Sequence, residues 1–291
     1  MLPPGEFTAR LNGLDIWFKI SGKGPPCIPP TPGWGPSSDL YFRTLSRLEI
    51  TLTMIYVDTR GTGRSQKPPH HTDYTLGHFS ADIESLRQHL EIPTPWIMGH
   101  SRAGIHAAHF ALNYPESVAG LVLVDPLAEK DDAWRADTES RMLLRRGEPW
   151  YERARKAWDD DTFPADDAAF AANEKACLAF YFSDVSKMET ASSAFSATTF
   201  SVEALRGARS SIPGEFGVLQ ALTRIRIPAL ILVGEDDFIT SPLQAQRLHS
   251  QISASELHVI PAAGHFPWIE QPGRLFEIVE AFIAKNRSAA A

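Results

Sequence analysis

The spacing of apolar positions divides the chain into strands and helices. Residues 7–13 (FTARLNG) and 14–22 (LDIWFKISG) alternate between apolar and polar side chains, which predicts a β-hairpin. Further strands are predicted at 51–61, 95–98, 118–126, 228–234 and 255–261, and the runs at 95–98, 118–126 and 228–234 are largely apolar, as is typical of strands buried on both faces.

Between these runs the apolar residues change to helical spacing. In 78–91 they fall on one helix face, and further helices are predicted at 103–115, 241–252 and 273–286. Strands that alternate with helices are typical of a parallel sheet covered on both faces. The pattern therefore predicts an α/β fold with a mainly parallel central sheet of about eight strands and flanking helices.

One long segment breaks this alternation. Residues 127–217 contain no strand pattern, but they hold helical stretches rich in acidic and aromatic residues at 139–158 and 170–182. A helical insertion after the sixth strand predicts a lid over the carboxyl edge of the sheet, where open α/β sheets bind ligands. We therefore expect a core domain of residues 1–126 and 218–291 and a helical lid domain of residues 127–217.

Three polar residues with catalytic potential each follow a predicted strand. They are Ser101, Asp237 and His265, in that order along the chain. A serine hydroxyl is a weak nucleophile at neutral pH unless a base lies beside it, and the base needs an acid that fixes its tautomer. Neighbouring strand ends can bring all three groups together. Asp236 and Asp125 are alternative acids, since each also follows a predicted strand.

Five motifs at strand ends carry a family resemblance. They are TPGWGPSSDLY (31–41), YVDTRGTGRSQKP (56–68), GHSRAG (99–104), GEDDFITSP (234–242) and AAGHFPWIEQP (262–272). With these motifs in this order, nearly the full chain resembles the α/β-hydrolase superfamily, and within it the proline-iminopeptidase-like serine hydrolases. The resemblance implies that Ser101 is the nucleophile, His265 the general base and Asp237 the orienting acid.

The turn around Ser101 departs from the G-x-S-x-G pattern of a nucleophile elbow. Ala103 occupies the last glycine position, and the glycine follows one residue later as Gly104. An elbow needs small residues because its strand and helix nearly touch. We expect the extra methyl group of Ala103 to be accommodated by local repacking.

The loop at 31–35 is the expected source of one oxyanion-hole donor. The elbow supplies the backbone N–H of Arg102, and the resemblance implies the N–H of Trp34 as the second donor. Relatives commonly carry His-Gly in this loop, where this chain has Pro32-Gly33-Trp34-Gly35. Proline has no N–H to donate, but Gly33, Trp34 and Gly35 each have one. The departure from His-Gly therefore affects the expected shape of the loop and not the supply of donors.

Aromatic residues of the predicted lid suggest a compact, partly apolar substrate. The candidate pocket residues are Gly33, Gly35, Trp268, Trp158 and Tyr181. The Arg102 side chain has two interpretations, a partner for a substrate carboxylate or one half of an ion pair with a neighbouring acid. Glu174 could bind a substrate amine, as a peptidase of the resembled group requires, but a glutamate on a lid helix is by default a surface residue.

Charge and composition limit which binding partners and which cellular compartment we expect. The net charge of −7 gives no basic footprint for nucleic acid or an anionic membrane, and no apolar run reaches the roughly 18 residues of a membrane span. Without an evident signal peptide we expect a cytoplasmic protein, and we expect Cys27 and Cys177 to be free thiols. We expect a monomer or homodimer that acts on a small molecule.

Histidines near Ser101 raise the question of a metal site. His100, His106 and His109 lie close together in sequence, but no cysteine or carboxylate cluster accompanies them. Structural metal sites normally combine such ligands. We therefore expect no metal and no cofactor.

These observations favour a serine hydrolase that cleaves a small-molecule ester, lactone or amide through an acyl-enzyme on Ser101. One alternative is a non-hydrolytic catalyst of C–C cleavage, acyl transfer or rearrangement in the same pocket. Another is a ligand-binding protein of the receptor type that keeps the fold and the triad. Aminopeptidase activity is disfavoured because relatives with that activity carry GGSWGS at the elbow. Fold alone does not decide among these functions.

Overall fold

One eight-stranded sheet organises the computed structural model, which describes residues 2–215 and 218–286. The strand order is β1-β2-β4-β3-β5-β6-β7-β8; β1–β2 and β2–β4 pair antiparallel, and the remaining pairs are parallel. This confirms the predicted fold class. The strands are β1 (Gly5–Leu11), β2 (Leu14–Gly22), β3 (Pro26–Ile28), β4 (Thr53–Val57), β5 (Trp96–His100), β6 (Gly120–Val124), β7 (Ala229–Gly234) and β8 (Ser255–Ile260).

Helices connect the strands and flank the sheet. Within residues 2–215 and 218–286, no helix is long and apolar enough to cross a lipid bilayer. The α-helices are α1 (Asp39–Thr44), α2 (Leu76–His89), α3 (Ala103–Asn113), α4 (Asp132–Leu143), α5 (Tyr151–Trp158), α6 (Asp167–Cys177), α7 (Ser192–Ala197), α8 (Val202–Glu215), α9 (Val218–Ala221), α10 (Pro242–Gln251), α11 (Pro267–Glu270) and α12 (Pro272–Asn286). Short 3₁₀ helices lie at Ser46–Ile50, His71–Asp73, Pro115–Ser117, Leu178–Tyr181, Val185–Ala191 and Leu222–Arg224.

Two apolar layers cover the sheet. All residues of β5, β6 and β7 are buried, as expected of central strands covered on both faces. Apolar side chains of α2, α3 and α10 pack on one face, and those of α1 and α12 pack on the other. Each large apolar side chain buried in this way stabilises the fold by roughly 1.5–3 kcal/mol.

The third strand is the element with the weakest signal in the sequence. β3 has three residues and is flanked by prolines, so it shows no period from which to predict a strand. It nevertheless lies between two longer strands, with Cys27 opposite Met54 of β4 and Trp96 of β5. Its position matters because the loop that follows it carries Trp34.

Between β6 and β7 the described residues form helices joined by loops and turns, without a strand. We call α4 to α9 the helical insertion. Asp131 and Asp166 cap α4 and α6 by accepting hydrogen bonds from backbone N–H groups, which satisfies donors left open at a helix start. Residues 217 and 287–291, which include the expected end of the lid and the end of the core domain, lie outside the described residues.

Candidate active site

Ser101 lies at the tip of a tight turn between β5 and α3. Its φ angle is +57°, in the left-handed region that residues other than glycine rarely adopt. Its N–H donates to the carbonyl of Val124 at 3.0 Å, and its carbonyl accepts the N–H groups of Gly104 and Leu127 at 3.0 and 3.1 Å. Hydrogen bonds on both sides therefore hold the strained conformation and keep the half-buried Ser101 side chain at the edge of the sheet.

Small residues allow the close approach of strand and helix at this turn. A Cβ atom on Gly99 would lie 2.4 Å from the carbonyl oxygen of Ala103, and one on Gly104 would lie 2.7 Å from the Cβ of Pro126. Ala103 itself is fully buried. The turn accommodates the Ala103 methyl group, whereas a side chain at Gly99 or Gly104 would collide with its neighbours.

Asp237 and His265 form a buried pair after β7 and β8. The Nδ1 atom of His265 lies 2.8 Å from Oδ2 of Asp237. Oδ1 of Asp237 also accepts the N–H groups of Ile239 and Thr240, and Oδ2 accepts the Thr240 hydroxyl. Burial opposes ionisation, but the charge of His265 and these hydrogen bonds outweigh it and lower the pKa of Asp237 to about 2. An ionised Asp237 assigns the proton of neutral His265 to Nδ1 and leaves Nε2 free to act as a base.

The three candidate acids occupy different environments. Asp237 contacts the His265 ring, whereas Asp236 is exposed and accepts the hydroxyl of Ser183 at 2.6 Å. Asp125 is fully buried and binds the backbone N–H of Gly234 at 2.8 Å. Of the three, Asp237 is the one whose contact suits the role of orienting acid.

His100 joins the turn at Ser101 to the loop of His265. Its Nε2 atom donates to the backbone carbonyl of His265 at 2.9 Å, and its Nδ1 atom lies 3.0 Å from the Tyr41 hydroxyl. Burial, followed by the charge of His265, lowers the pKa of His100, so the imidazole stays neutral with its proton on Nε2. The rings of His100 and His265 are 4.5 Å apart. The residue next to Ser101 therefore contacts both the backbone and the ring of the candidate base.

Glu270 provides a second anchor for the His265 loop. Its carboxylate accepts the N–H of Gly264 at 2.6 Å and the N–H of Asp184, in the helical insertion, at 2.9 Å. The sequence alone does not predict these roles of His100 and Glu270. Their bonds join segments far apart in the chain, so no local pattern could have revealed them.

The loop after β3 lies against the start of α3. Gly33 has a φ of +70°, and a Cβ atom there would lie 2.6 Å from the ring of Phe79 and 2.9 Å from the ring of His106. His106 belongs to α3, one turn beyond Ser101, so the loop that carries Trp34 approaches the helix that begins at the turn. The insertion holds this loop through a hydrogen bond from the Ser201 N–H to the Gly35 carbonyl.

Aromatic side chains form a wall from the insertion to His265. The ring of Trp158 is 5.1 Å from Phe238, Phe238 is 5.1 Å from Tyr181, and Tyr181 is 5.2 Å from His265. The Tyr181 carbonyl also accepts the His265 N–H at 2.7 Å. In the loop after β3, the ring of Trp34 is 5.9 Å from Phe170. Among the pocket candidates, Tyr181 thus contacts His265, and Trp158 is linked to Tyr181 through Phe238.

Trp268 lies behind His100. It is buried beneath His100, with ring centroids 4.7 Å apart, and its indole N–H donates to the Thr44 hydroxyl at 2.9 Å. It lines a small apolar cavity behind His100 together with Tyr41 and Met98. Trp268 therefore packs against His100 and lines the cavity beside it, because the short helix α11 turns its side chain into the core.

Arg102 and the α3 histidines are largely buried. Arg102 is buried, and its charge is the second cause, after burial, of a lowered pKa at His106. His106 stacks on Phe79 with ring centroids 4.4 Å apart, while His109 lies 2.8 Å from the Ser80 hydroxyl. The two histidine rings therefore contact different residues, His106 an aromatic ring and His109 a hydroxyl group.

Glu174 is partly buried on α6. It follows Phe170 by four residues on α6, so the two share a helix face, and a Cβ atom on Gly35 would lie 2.6 Å from the Phe170 ring. The charge of Glu174 contributes to the raised pKa of Tyr181, which contacts His265. Glu174 therefore lies close enough to Tyr181 for its charge to act on that side of the site.

Burial raises the pKa of Glu174 to about 7, and no charge or hydrogen bond among the described residues offsets that effect. The folded chain then binds this proton more tightly than the unfolded chain, so stability falls as the pH rises from 4.5 to about 7. We expect Glu174→Gln to remove the penalty and raise Tm by about 2–4 °C at pH 8, with little change at pH 4.5. Thermal unfolding at both pH values measures this.

The matched control for this prediction is Glu152→Gln. Glu152 lies on the neighbouring helix α5 and is exposed, so its replacement leaves Tm unchanged at both pH values. A Glu174→Gln protein whose Tm differs from that of the wild type equally at pH 4.5 and pH 8 contradicts the assigned environment of Glu174.

Comparisons with known proteins agree with this architecture. A proline iminopeptidase of Saccharolobus solfataricus is 24% identical over 96% of this chain and 92% of its own length. The 3-oxoadipate enol-lactonase 2 of Acinetobacter baylyi is 24% identical over 98% of this chain and 99% of its own. The solved structure of Est816, an N-acyl homoserine lactone degrading enzyme, is 25% identical, covers 95% of this chain and 100% of its own, and superposes with a TM-score of 0.69.

The family model of the alpha/beta hydrolase fold matches residues 31–272. This span begins in the loop after β3 and ends just beyond α11, so it contains the turn at Ser101, the helical insertion and the pair of Asp237 and His265. It covers well over half of the chain. With this sheet order and this match, the chain belongs to the α/β-hydrolase fold family.

Proposed function

We propose that the protein is a serine hydrolase that cleaves a small-molecule ester, lactone or amide through an acyl-enzyme on Ser101. The family membership supports a hydrolase. The observation that carries the proposal is the strained turn at Ser101, tied through His100 to a His265 whose Nδ1 binds the ionised Asp237. These are the parts that nucleophilic catalysis by a serine requires.

Acylation begins with attack of the Ser101 hydroxyl on the substrate carbonyl. Nε2 of His265 accepts the hydroxyl proton as the new C–O bond forms, and Asp237 stabilises the imidazolium that results. The backbone N–H groups of Arg102 and Trp34 donate to the oxyanion of the tetrahedral intermediate. His265 then gives its proton to the leaving alkoxide or amine, and the acyl group remains on Ser101.

Deacylation repeats these steps with water as the nucleophile. His265 removes a proton from water, the hydroxide attacks the acyl carbonyl, and the tetrahedral intermediate releases Ser101 with its proton restored. The product is a carboxylic acid that holds one oxygen atom from water. A lactone substrate gives a single hydroxy-acid, and an ester or amide gives two products.

We propose that the helical insertion acts as a lid and limits the size of the substrate. Tyr181 contacts His265 and is linked through Phe238 to Trp158, while Gly33, Trp34 and Gly35 lie in the loop that approaches α3. A cleft between aromatic walls suits a compact, partly apolar acyl group or lactone ring. Two similar proteins, the enol-lactonase of Acinetobacter baylyi and the lactone-degrading enzyme Est816, support a lactone as the first substrate class to test.

A second candidate, hydrolysis of an amide that bears a free amine, is favoured by Glu174. A partly buried carboxylate near Tyr181, with no offsetting charge among the described residues, can bind an ammonium group of the substrate. The relative from Saccharolobus solfataricus is a proline iminopeptidase. In this candidate Glu174→Gln raises KM for amine-bearing amides and leaves KM for neutral lactones unchanged.

The test is a panel of lactones, esters and amino-acid amides assayed in H₂¹⁸O. We expect turnover of at least one class, with one ¹⁸O atom in the released carboxylic acid and loss of that activity in Ser101→Ala. Product without label indicates acyl transfer to another acceptor or rearrangement. Tight ligand binding without turnover of any class favours the receptor-type alternative.

A further inference from the structure

Asp125 occupies a strained and fully buried position directly after β6. Its φ angle is +45°, and no part of the residue is exposed. Its N–H donates to the carbonyl of Leu232 at 2.7 Å, and its Oδ1 atom accepts the N–H of Gly234 at 2.8 Å. Asp125 thus joins the end of β6 to the end of β7. The last residue of β7, Gly234, is three residues before Asp237.

The second carboxyl oxygen of Asp125 has no donor among the described residues. Oδ2 is buried without a hydrogen-bond partner that donates to it. An ionised oxygen left in this state would keep the whole cost of desolvation, which far exceeds that of a neutral carboxyl group. The arrangement therefore favours a protonated Asp125, which can use Oδ2 as a donor.

Asp237 is the acceptor within reach. Burial raises the pKa of Asp125 well above its usual range, and the charge of Asp237 and a hydrogen bond between the two side chains raise it further. The Gly234 N–H opposes this effect, and the charge of Glu270 on α11 adds to it. His265 lies on the other side of Asp237 and keeps that residue ionised. Two buried carboxyl groups in contact do not both ionise, so the proton belongs to Asp125.

We propose that Asp125 is a positioning residue for Asp237, kept protonated at neutral pH so that it donates a hydrogen bond to the Asp237 carboxylate. The inference rests on the proposed roles of Asp237 and His265. Asp237 already accepts bonds from His265, Ile239 and Thr240, and a donor from Asp125 fixes its carboxylate from the side of the sheet. A fixed carboxylate holds the His265 ring in the orientation that catalysis needs.

Substitutions at Asp125 separate a neutral donor from an anion. Asparagine keeps the shape, an oxygen for the Gly234 N–H and an N–H₂ donor for Asp237, so Asp125→Asn retains kcat within about threefold of the wild type. Alanine removes the donor, and Asp125→Ala lowers kcat by about 10–100-fold with KM unchanged. Equal losses in the two variants would mean that Asp125 acts as an anion, and would overturn the inference.

A double substitution separates an action through Asp237 from a structural role. In an Asp237→Asn background, Asp125→Ala lowers the residual kcat by less than about threefold, because the partner it orients is gone. A further loss as large as in the wild-type background shows a merely structural role and overturns the inference. Activity of Asp237→Asn equal to that of the wild type would instead remove the proposed function on which the inference rests.

A spectroscopic readout is independent of turnover and of how well Asp125→Ala folds. The infrared difference spectrum between the wild type and Asp125→Asn at pH 7 is expected to contain the C=O stretch of a protonated carboxyl group. A spectrum that contains the bands of a carboxylate instead shows Asp125 to be ionised and overturns the inference.

Discussion

Ser101→Ala is expected to lower kcat by about 10⁴–10⁶-fold, the size of effect seen when a serine nucleophile is removed. The substitution deletes the atom that forms the acyl-enzyme and leaves the backbone bonds of the turn in place, since these involve main-chain groups of Val124, Gly104 and Leu127. We therefore expect Tm to stay close to that of the wild type. Steady-state kinetics on the best substrate of the panel, together with thermal unfolding, measure both quantities.

The control for Ser101→Ala is Ser183→Ala. Ser183 lies in the helical insertion, and its hydroxyl binds Asp236 beside the loop of the candidate acid. Loss of this half-exposed bond changes kcat by no more than about threefold. If Ser101→Ala kept as much activity as Ser183→Ala, no acyl-enzyme on Ser101 would be needed. Direct attack of water on the substrate would then be the better explanation.

Asp237→Asn is expected to lower kcat by a factor on the order of 10⁴. The amide group cannot serve as an anionic acceptor for Nδ1–H of His265, and its N–H₂ group favours the tautomer in which Nδ1 is unprotonated. Nε2 then carries the proton and cannot accept one from Ser101. The same bond lengths remain possible, so the loss appears in kcat and much less in KM.

The adjacent acid supplies a matched control. Asp236→Asn removes an exposed carboxylate one residue away, and we expect it to change kcat by no more than about threefold. A large loss in Asp236→Asn with a small loss in Asp237→Asn would transfer the role of orienting acid to Asp236 and contradict the geometry of the buried pair.

The pH dependence of stability follows from the same pair. The pKa of Asp237 is lowered from 3.8 to about 2 in the folded chain. The unfolded chain therefore binds the proton more tightly, and the stability that the Asp237–His265 pair contributes is present above pH 3.8 and is lost as the pH falls through about 2. Asp237 stays ionised throughout the pH range in which a hydrolase is normally assayed.

The parts of the fold that the sequence predicts are those with a strong local pattern. β5, β6 and β7 are buried on both faces and read as apolar runs, which is why their ends, and hence Ser101 and Asp237, could be located. β3 was the exception, because three residues between prolines carry no period.

The parts that the sequence did not predict depend on tertiary contacts. The bond from His100 to the His265 carbonyl joins residues 165 positions apart, and no spacing rule specifies it. The packing of Trp268 against His100 and the partial burial of Glu174 are likewise not evident from the sequence. Which face of a short helix is buried depends on the elements that pack against it, and a single sequence does not contain that information.

The central claim is that Ser101 forms a covalent bond with the acyl group of the substrate. Its most direct test is the intact mass of wild type and Ser101→Ala after reaction with a serine-reactive phosphonate. We predict one phosphonyl group per wild-type chain, located on the peptide that contains Ser101, and none on Ser101→Ala. Equal labelling of the two proteins, or a label on another serine, would contradict the account.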